Sequence, residues 1–286
     1  MLDLIADPEV REAMIAGAVV AVLCGAIGVF VVIRRASFAG HAVTDVGFTG
    51  GAGAPLVGVS PLAGLLAFSV VGSLVISRLG DRIRERDIAT GTVLTIALGF
   101  GSLFLWIQTR YVSEPASLLF GSIFAVAPEV LHVTIGLGCA ALIALAVLYR
   151  PLLYATVSPD SAEARGVSPR LVGGAFLVLL GVTVAEAAQL VGVLLTTALL
   201  VGPASAATYL TKRTSAAIAL SMAIGLGIIT ISITLAYESY YWPPGGKGWP
   251  VSFFVGVLSL AAFVAARAEV RRRRISALAD EEPDWC

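Results

Sequence analysis

The chain has 286 residues, of which 58% are hydrophobic and only 13% charged, and its mean hydropathy is +0.92. That much apolar surface cannot be hidden in a water-soluble fold, and most windows satisfy the criterion for membrane-spanning helices. With 19 basic and 19 acidic residues the formal net charge is zero, which argues against nucleic acid as a partner.

Taken in chain order, the acidic start Met1 to Glu12 lacks the basic region of a signal peptide, and the apolar stretch after it is long enough to span. The apolar windows predict spans at 13–33, 38–57, 58–77, 88–107, 131–149, 171–188, 190–210, 216–237 and 250–266. The expected fold is therefore an all-α polytopic membrane protein of about nine transmembrane helices, or eight if the second does not count. That second span is glycine-rich, carries His41 and Asp45 and ends at Pro55. A short or broken helix of this kind is tolerated where protein surrounds it or where it lines a cavity. The chain reads as one transmembrane domain, 1–270, followed by a charged tail, 271–286, expected to be disordered. Cys24, Cys139 and Cys286 have no paired spacing, and the first two read as small residues of apolar spans.

Orientation follows from lysine and arginine. All but Arg11, Arg110 and Lys247 of the 19 basic residues fall in alternate loops, the set from Arg34 to Arg274. The positive-inside rule makes that side cytoplasmic, with the N-terminus outside and the C-terminus inside. Trp106, Tyr111, Tyr240, Tyr241, Trp242 and Trp249 gather at the predicted outer ends, as interfacial aromatics do.

The chemistry concentrates in Ser37-Phe-Ala-Gly-His41-Ala-Val-Thr44-Asp45. If helical, Ser37, His41, Asp45 and Thr49 share a face. Imidazole nitrogen and carboxylate oxygen one turn apart suit zinc, manganese or iron(II), and few loosely held ligands suit an ion in transit. Two other readings stay open: Ser37 caps the helix and His41 with Asp45 is an ion pair, or the pair relays protons. Glu186 is expected at a solvated outer interface, and Gln189, Thr196 and Thr197 in interhelical hydrogen bonds. His132 reads as a surface histidine, with Glu129 or Glu114 as conceivable neighbours at an outer mouth. Pro203 is expected to kink or break its helix. Pro243-Pro-Gly-Gly-Lys247-Gly lacks the spacing of a phosphate loop, and no nucleotide-binding signature appears elsewhere. A short polar helix, Asp160 to Arg165 with Glu163 and Ala164, stopped by Gly166, offers a docking element between spans.

Four stretches, in order, resemble the permease subunit of bacterial ABC importers for zinc, manganese or iron. They are Gly25 to Gly40, Leu118-Leu-Phe-Gly121-Ser122, Ser158 to Val167, and Gln189-Leu-Val-Gly192 with Ala198 to Ala207. The resemblance implies a permease in the bacterial plasma membrane that acts as a dimer. It implies separate cytoplasmic ATPase subunits docked on Asp160, Glu163, Ala164, Arg165 and Gly166, and an extracytoplasmic metal-binding protein. It also implies no permanently bound cofactor, with Zn2+, Mn2+ or Fe2+ as cargo. His41 and Asp45 would hold the ion, with Ser37 or Thr44 as auxiliary ligands. One departure stands out: the family commonly places aspartate first and histidine four residues later, and this chain reverses them. The alternative from another class is a stand-alone proton-coupled metal carrier, which inverted internal repeats would favour; none is convincing here.

Overall fold

The computed structural model describes residues 7–79, 83–109, 119–121, 123–125, 128–242 and 248–280. Among them lie ten α-helices and no strand. In chain order these are α1 Pro8–Ile33, α2 Ser37–Gly53, α3 Pro61–Leu79, α4 Ile83–Thr109, α5 Pro128–Val157, α6 Pro159–Ala164, α7 Pro169–Val191, α8 Val193–Leu210, α9 Thr214–Glu238 and α10 Val251–Asp280. Eight of them, all but α2 and α6, are long and apolar enough to cross a membrane. Arg34, Arg78, α6 and the end of α10 mark one end of the bundle, called here the basic end. The turns after α2, α7 and α9 mark the other, the aromatic end.

α1 starts where Asp7 accepts a hydrogen bond from the Glu9 amide at 3.1 Å, with Pro8 in the first turn. It is buried along most of its length and packs against α5, α7, α8 and α9. α2 has 17 residues, of which 13 are buried, and is enclosed by α3, α4, α7 and α8. A 3-10 turn at Ala54–Val57 extends it, and Gly58 in the left-handed region ends it. The predicted second span is therefore a short helix, largely buried by its neighbours, plus a tight turn whose Leu56 and Val57 are exposed.

Close packing of α2 comes from small residues. Gly50 of α2 and Gly64 of α3 face each other so closely that a Cβ on either would strike the backbone of the other helix. Without a hydrophobic driving force between helices in lipid, such backbone approach is the main source of association. α8 runs unbroken through Pro203, although the ring removes one intrahelical bond; the kink-or-break expectation fails as to the break. At the other end of the chain α10 continues through Arg271 to Asp280, so the first part of the charged tail is helical. Residues 281–286 and Pro243 to Lys247 lie outside the described residues.

The α7–α8 connection is a single residue. Gly192 has φ 92 and ψ 152, a conformation open essentially to glycine alone. Opposite it sits Gly121, φ 79, in the Leu119-Phe-Gly turn. A Cβ at Gly192 would strike the Leu119 carbonyl, and one at Gly121 the Leu190 carbonyl, so the two turns interlock through missing side chains. Gly58 has a similar φ of 73 but open space around it. Gly192→Ala is therefore expected to lower the melting temperature of the purified protein sharply, the strained backbone alone costing about 1–3 kcal/mol and the clash with the Leu119 carbonyl adding to it. Gly58→Ala should cost only about 1–2 kcal/mol, the ordinary left-handed penalty. Thermal unfolding followed by loss of the monodisperse species compares the two; equal melting temperatures would show that the interlock is not there.

Candidate cation site on a buried helix

α2 presents its polar residues as a stripe that runs from an open cavity into the core. His41 has a side chain 47% exposed, Asp45 11%. One turn further Thr49 is buried, its hydroxyl donating to the Ala97 carbonyl of α4 at 2.7 Å. The shared face expected from helical spacing is present, and it tilts inward along the helix. His41 Nε2 and Asp45 Oδ2 lie 3.5 Å apart. That is long for a hydrogen bond. It is close to the edge of a tetrahedron of ligands, about 3.4 Å for bonds of about 2.1 Å. Two acceptors so placed can take one small divalent ion between them with little movement.

The cavity reached by His41 has a volume of about 620 Å³ and lies between α2, α8 and α10. Ser37, Thr197, Ser205 and Ser259 supply hydroxyls to its wall. The Ser259 hydroxyl is buried with no hydrogen-bond partner among the described residues, and it belongs to the last span, where nothing in the sequence marked it. Gly202 lets α8 approach Ser259; a Cβ there would come within 2.7 Å of the Ser259 Cβ. Thr197, expected in an interhelical bond, instead faces this cavity, and Thr196 donates to Gly192 of its own helix at 2.8 Å.

The auxiliary residues separate. Ser37 lines the cavity with His41. It does not cap α2: Ala36 occupies the cap position and no side chain bonds there. Thr44 is 1% exposed and donates to the Gly40 carbonyl at 2.9 Å, away from the cavity wall. Among the described residues no group of three or more His, Cys, Asp and Glu converges. The structure thus sets two groups able to ligate a metal beside a hydroxyl, and a shell around any ion held there would be completed by water. Such a shell suits brief passage better than permanent capture.

Glu186 contradicts its expected solvated position. It is 1% exposed in α7, with neither carboxylate oxygen partnered among the described residues. A Cβ at Gly138 of α5 would lie 3.7 Å from Glu186 Oε2, so the glycine makes room for the carboxylate. Five more residues of α7 follow Glu186, to Val191, and α1 and α5 cover that face, which hydropathy cannot report. Gln189 does not make the expected interhelical bond through its oxygen, which is buried and has no hydrogen-bond partner among the described residues. His132 is exposed, and its Nδ1 lies 2.6 Å from the Pro128 carbonyl of its own helix. Glu114 lies outside the described residues.

At the basic end, α6 is anchored by Ala162, 1% exposed. Asp160, Glu163, Ala164, Arg165 and Gly166 are all exposed around it. The Val167 amide donates to the Ala162 carbonyl at 3.0 Å and Gly166, φ 78, to the Glu163 carbonyl at 2.9 Å, a left-handed helix stop. Arg165 donates to the Tyr154 hydroxyl at 3.2 Å and stacks on its ring, tying the end of α6 back to α5. The result is a short rigid knob on one end of the bundle.

These features have counterparts in known proteins. The model of the ABC 3 transport family matches residues 6–264. The manganese transport system membrane protein MntC of Halalkalibacterium halodurans is 29% identical over 240 residues, covering 84% of this chain and 82% of that one. The manganese import system permease protein ScaB of Streptococcus gordonii is 26% identical, covering 93% and 94%. In three dimensions the chain is similar to a chain of PsaBC from Streptococcus pneumoniae, solved in complex with Fab, with a TM-score of 0.80 at 23% identity and 93% of each chain covered. With the match running over nearly the whole bundle, from the start of α1 to well inside α10, the chain belongs to the ABC 3 transport family.

Proposed function

We propose that this protein is the membrane-spanning permease of an ATP-driven importer of a divalent transition-metal ion, with manganese the first candidate and zinc and iron(II) the others. The observation that carries the reading is the His41–Asp45 pair, 3.5 Å apart on a helix otherwise wrapped by protein. Ionisable residues at membrane depth cost several kcal/mol (~3 by insertion scales) and mark substrate paths. Family membership supports it, as do relatives whose names specify manganese transport. The reversed order of the two ligands leaves donor types and charge the same, so a borderline or hard divalent ion is still served.

The rest of the mechanism follows from where the parts sit. The cavity beside His41 is bounded by α2, α8 and α10, and a second copy of the chain would close it into a path shared by two permeases. Cytoplasmic ATPase subunits would grip α6 at the basic end, which the distribution of arginine and lysine assigns to the cytoplasm. An extracytoplasmic metal-binding protein would deliver the ion at the aromatic end. α6 packs on both α5 and α7, so a push on it is transmitted to two spanning helices.

His41→Ala and Asp45→Ala should each reduce manganese uptake at least tenfold without lowering membrane abundance. The exchanged variant, His41→Asp with Asp45→His, should transport better than either. Uptake of radioactive manganese by intact cells, normalised to immunoblot, measures this; normal uptake in both single variants would reduce the pair to a structural contact.

Gly166→Pro cannot keep φ 78, because proline holds φ near −65°. The variant should insert normally, still bind metal and lose most ATP-stimulated transport, at least fivefold. Full transport would remove α6 from the coupling.

A further inference from the structure

On the flank away from the cation cavity, a groove of about 780 Å³ lies between the basic ends of α3 and α7. It shares no lining residue with the His41 cavity. Its polar lining is Arg34, Ser77, Arg78 and Arg170, and among the described lining residues none is acidic. All other lining residues are apolar or glycine.

The groove is built. Arg34 is held in place by its hydrogen bond to the Thr156 hydroxyl at 3.0 Å and by its position 5.5 Å above the Phe176 ring. Gly173 and Gly174 keep the floor open beneath the polar groups. A Cβ at 173 would come within 3.4 Å of Arg34 Nη2, and one at 174 within 3.1 Å of the Ser77 hydroxyl. α7 begins here with Pro169, and its cap residue Ser168 makes no side-chain capping bond. The first amides of a 23-residue helix therefore add their positive end to the three guanidinium groups.

We propose that this groove binds the headgroup of an anionic phospholipid. A phosphodiester has the charge and the planar acceptor pair that arginines grip in bidentate fashion. Basic pockets between spanning helices near the membrane surface are suited to such headgroups. The apolar part of the lining selects a lipid over an acidic protein side chain. Leu171, 76% exposed, and Leu74, 40% exposed, stand beside the arginines on the open flank. Val71, one turn before Leu74 on α3, is exposed as well; with Val75 it lines a separate apolar groove against α4. A carboxylate arriving from water would need only the arginines, whereas a phospholipid needs charge above and an apolar track below, and both are present.

The test is native mass spectrometry of the full chain, purified and equilibrated with mixed micelles of phosphatidylglycerol and phosphatidylethanolamine. The wild type should retain phosphatidylglycerol in preference to phosphatidylethanolamine. The double variant Arg78→Gln, Arg170→Gln should retain about tenfold less, since each basic residue near the surface contributes about a fewfold in affinity. Arg34 is left intact because it anchors α1 to α5 and α7. Gly174→Leu fills the groove without changing charge and should lose the lipid as well, while Arg78→Lys with Arg170→Lys should retain much of it. Millimolar inorganic phosphate should not displace the lipid. Equal retention of the two lipids, unchanged retention in both the double variant and Gly174→Leu, or full displacement by phosphate would each overturn the proposal. So would a double variant that keeps its lipid but no longer co-purifies with an ATPase, which would assign the arginines to protein docking.

Discussion

A polar helix inside a membrane must be surrounded by protein, and that constraint organises the bundle. α2 carries His41, Thr44, Asp45 and Thr49 within three turns. Its threonine hydroxyls can bond back to carbonyls of their own helix, but the Asp45 carboxylate left facing lipid would have no compensation beyond His41. α3, α4, α7 and α8 enclose it, and the price is met in shape: Gly47 and Gly50 of α2 and Gly64 of α3 remove the side chains that would hold the helices apart. Only at its start does α2 open, and there His41 and Ser37 meet the cavity shared with α8 and α10. The same enclosure that hides the helix thus leaves one way in.

The parts that would have to move are tied to this arrangement. α7 reaches from the α6 knob to the Gly192 turn, touching α1, α2, α3, α5 and α8 on the way. At Gly192 it reverses directly into α8, which forms part of the cavity wall. An α7–α8 pair with one end beside α6 and one wall beside His41 would link the proposed docking face mechanically to the proposed ion path. Interlocking of Gly121 with Gly192 would hold that reversal fixed, so that displacement at α6 would move whole helices rather than unwind the turn.

Much of this was legible in the sequence, and the failures have a common cause. Span positions, the short second helix, the shared face of His41 and Asp45, and the helix stop at Gly166 follow from hydropathy, spacing and glycine chemistry. Those signals are local. Which face of a span meets lipid is not local, because in this chain both faces are apolar. That is why Glu186, expected in solvent, lies under α1 and α5, and why Ser259 shows its place on the cavity only once α10 is set against α8. Ser37 shows a smaller version of the same limit: its identity suits a cap, but the chain enters α2 one residue earlier, at Ala36. The register of Thr44 could not be assigned from its spacing to His41, since its hydroxyl turns back to Gly40.

The central claim is that the chain passes a metal ion under the control of a separate ATPase rather than carrying it alone with protons. Reconstitution into proteoliposomes, with and without its ATPase subunits, tests that claim most directly. The account predicts that manganese crosses only when both ATPase and ATP are present. A pH gradient alone should move none. Manganese accumulation driven by a pH gradient in vesicles holding this chain by itself would contradict it.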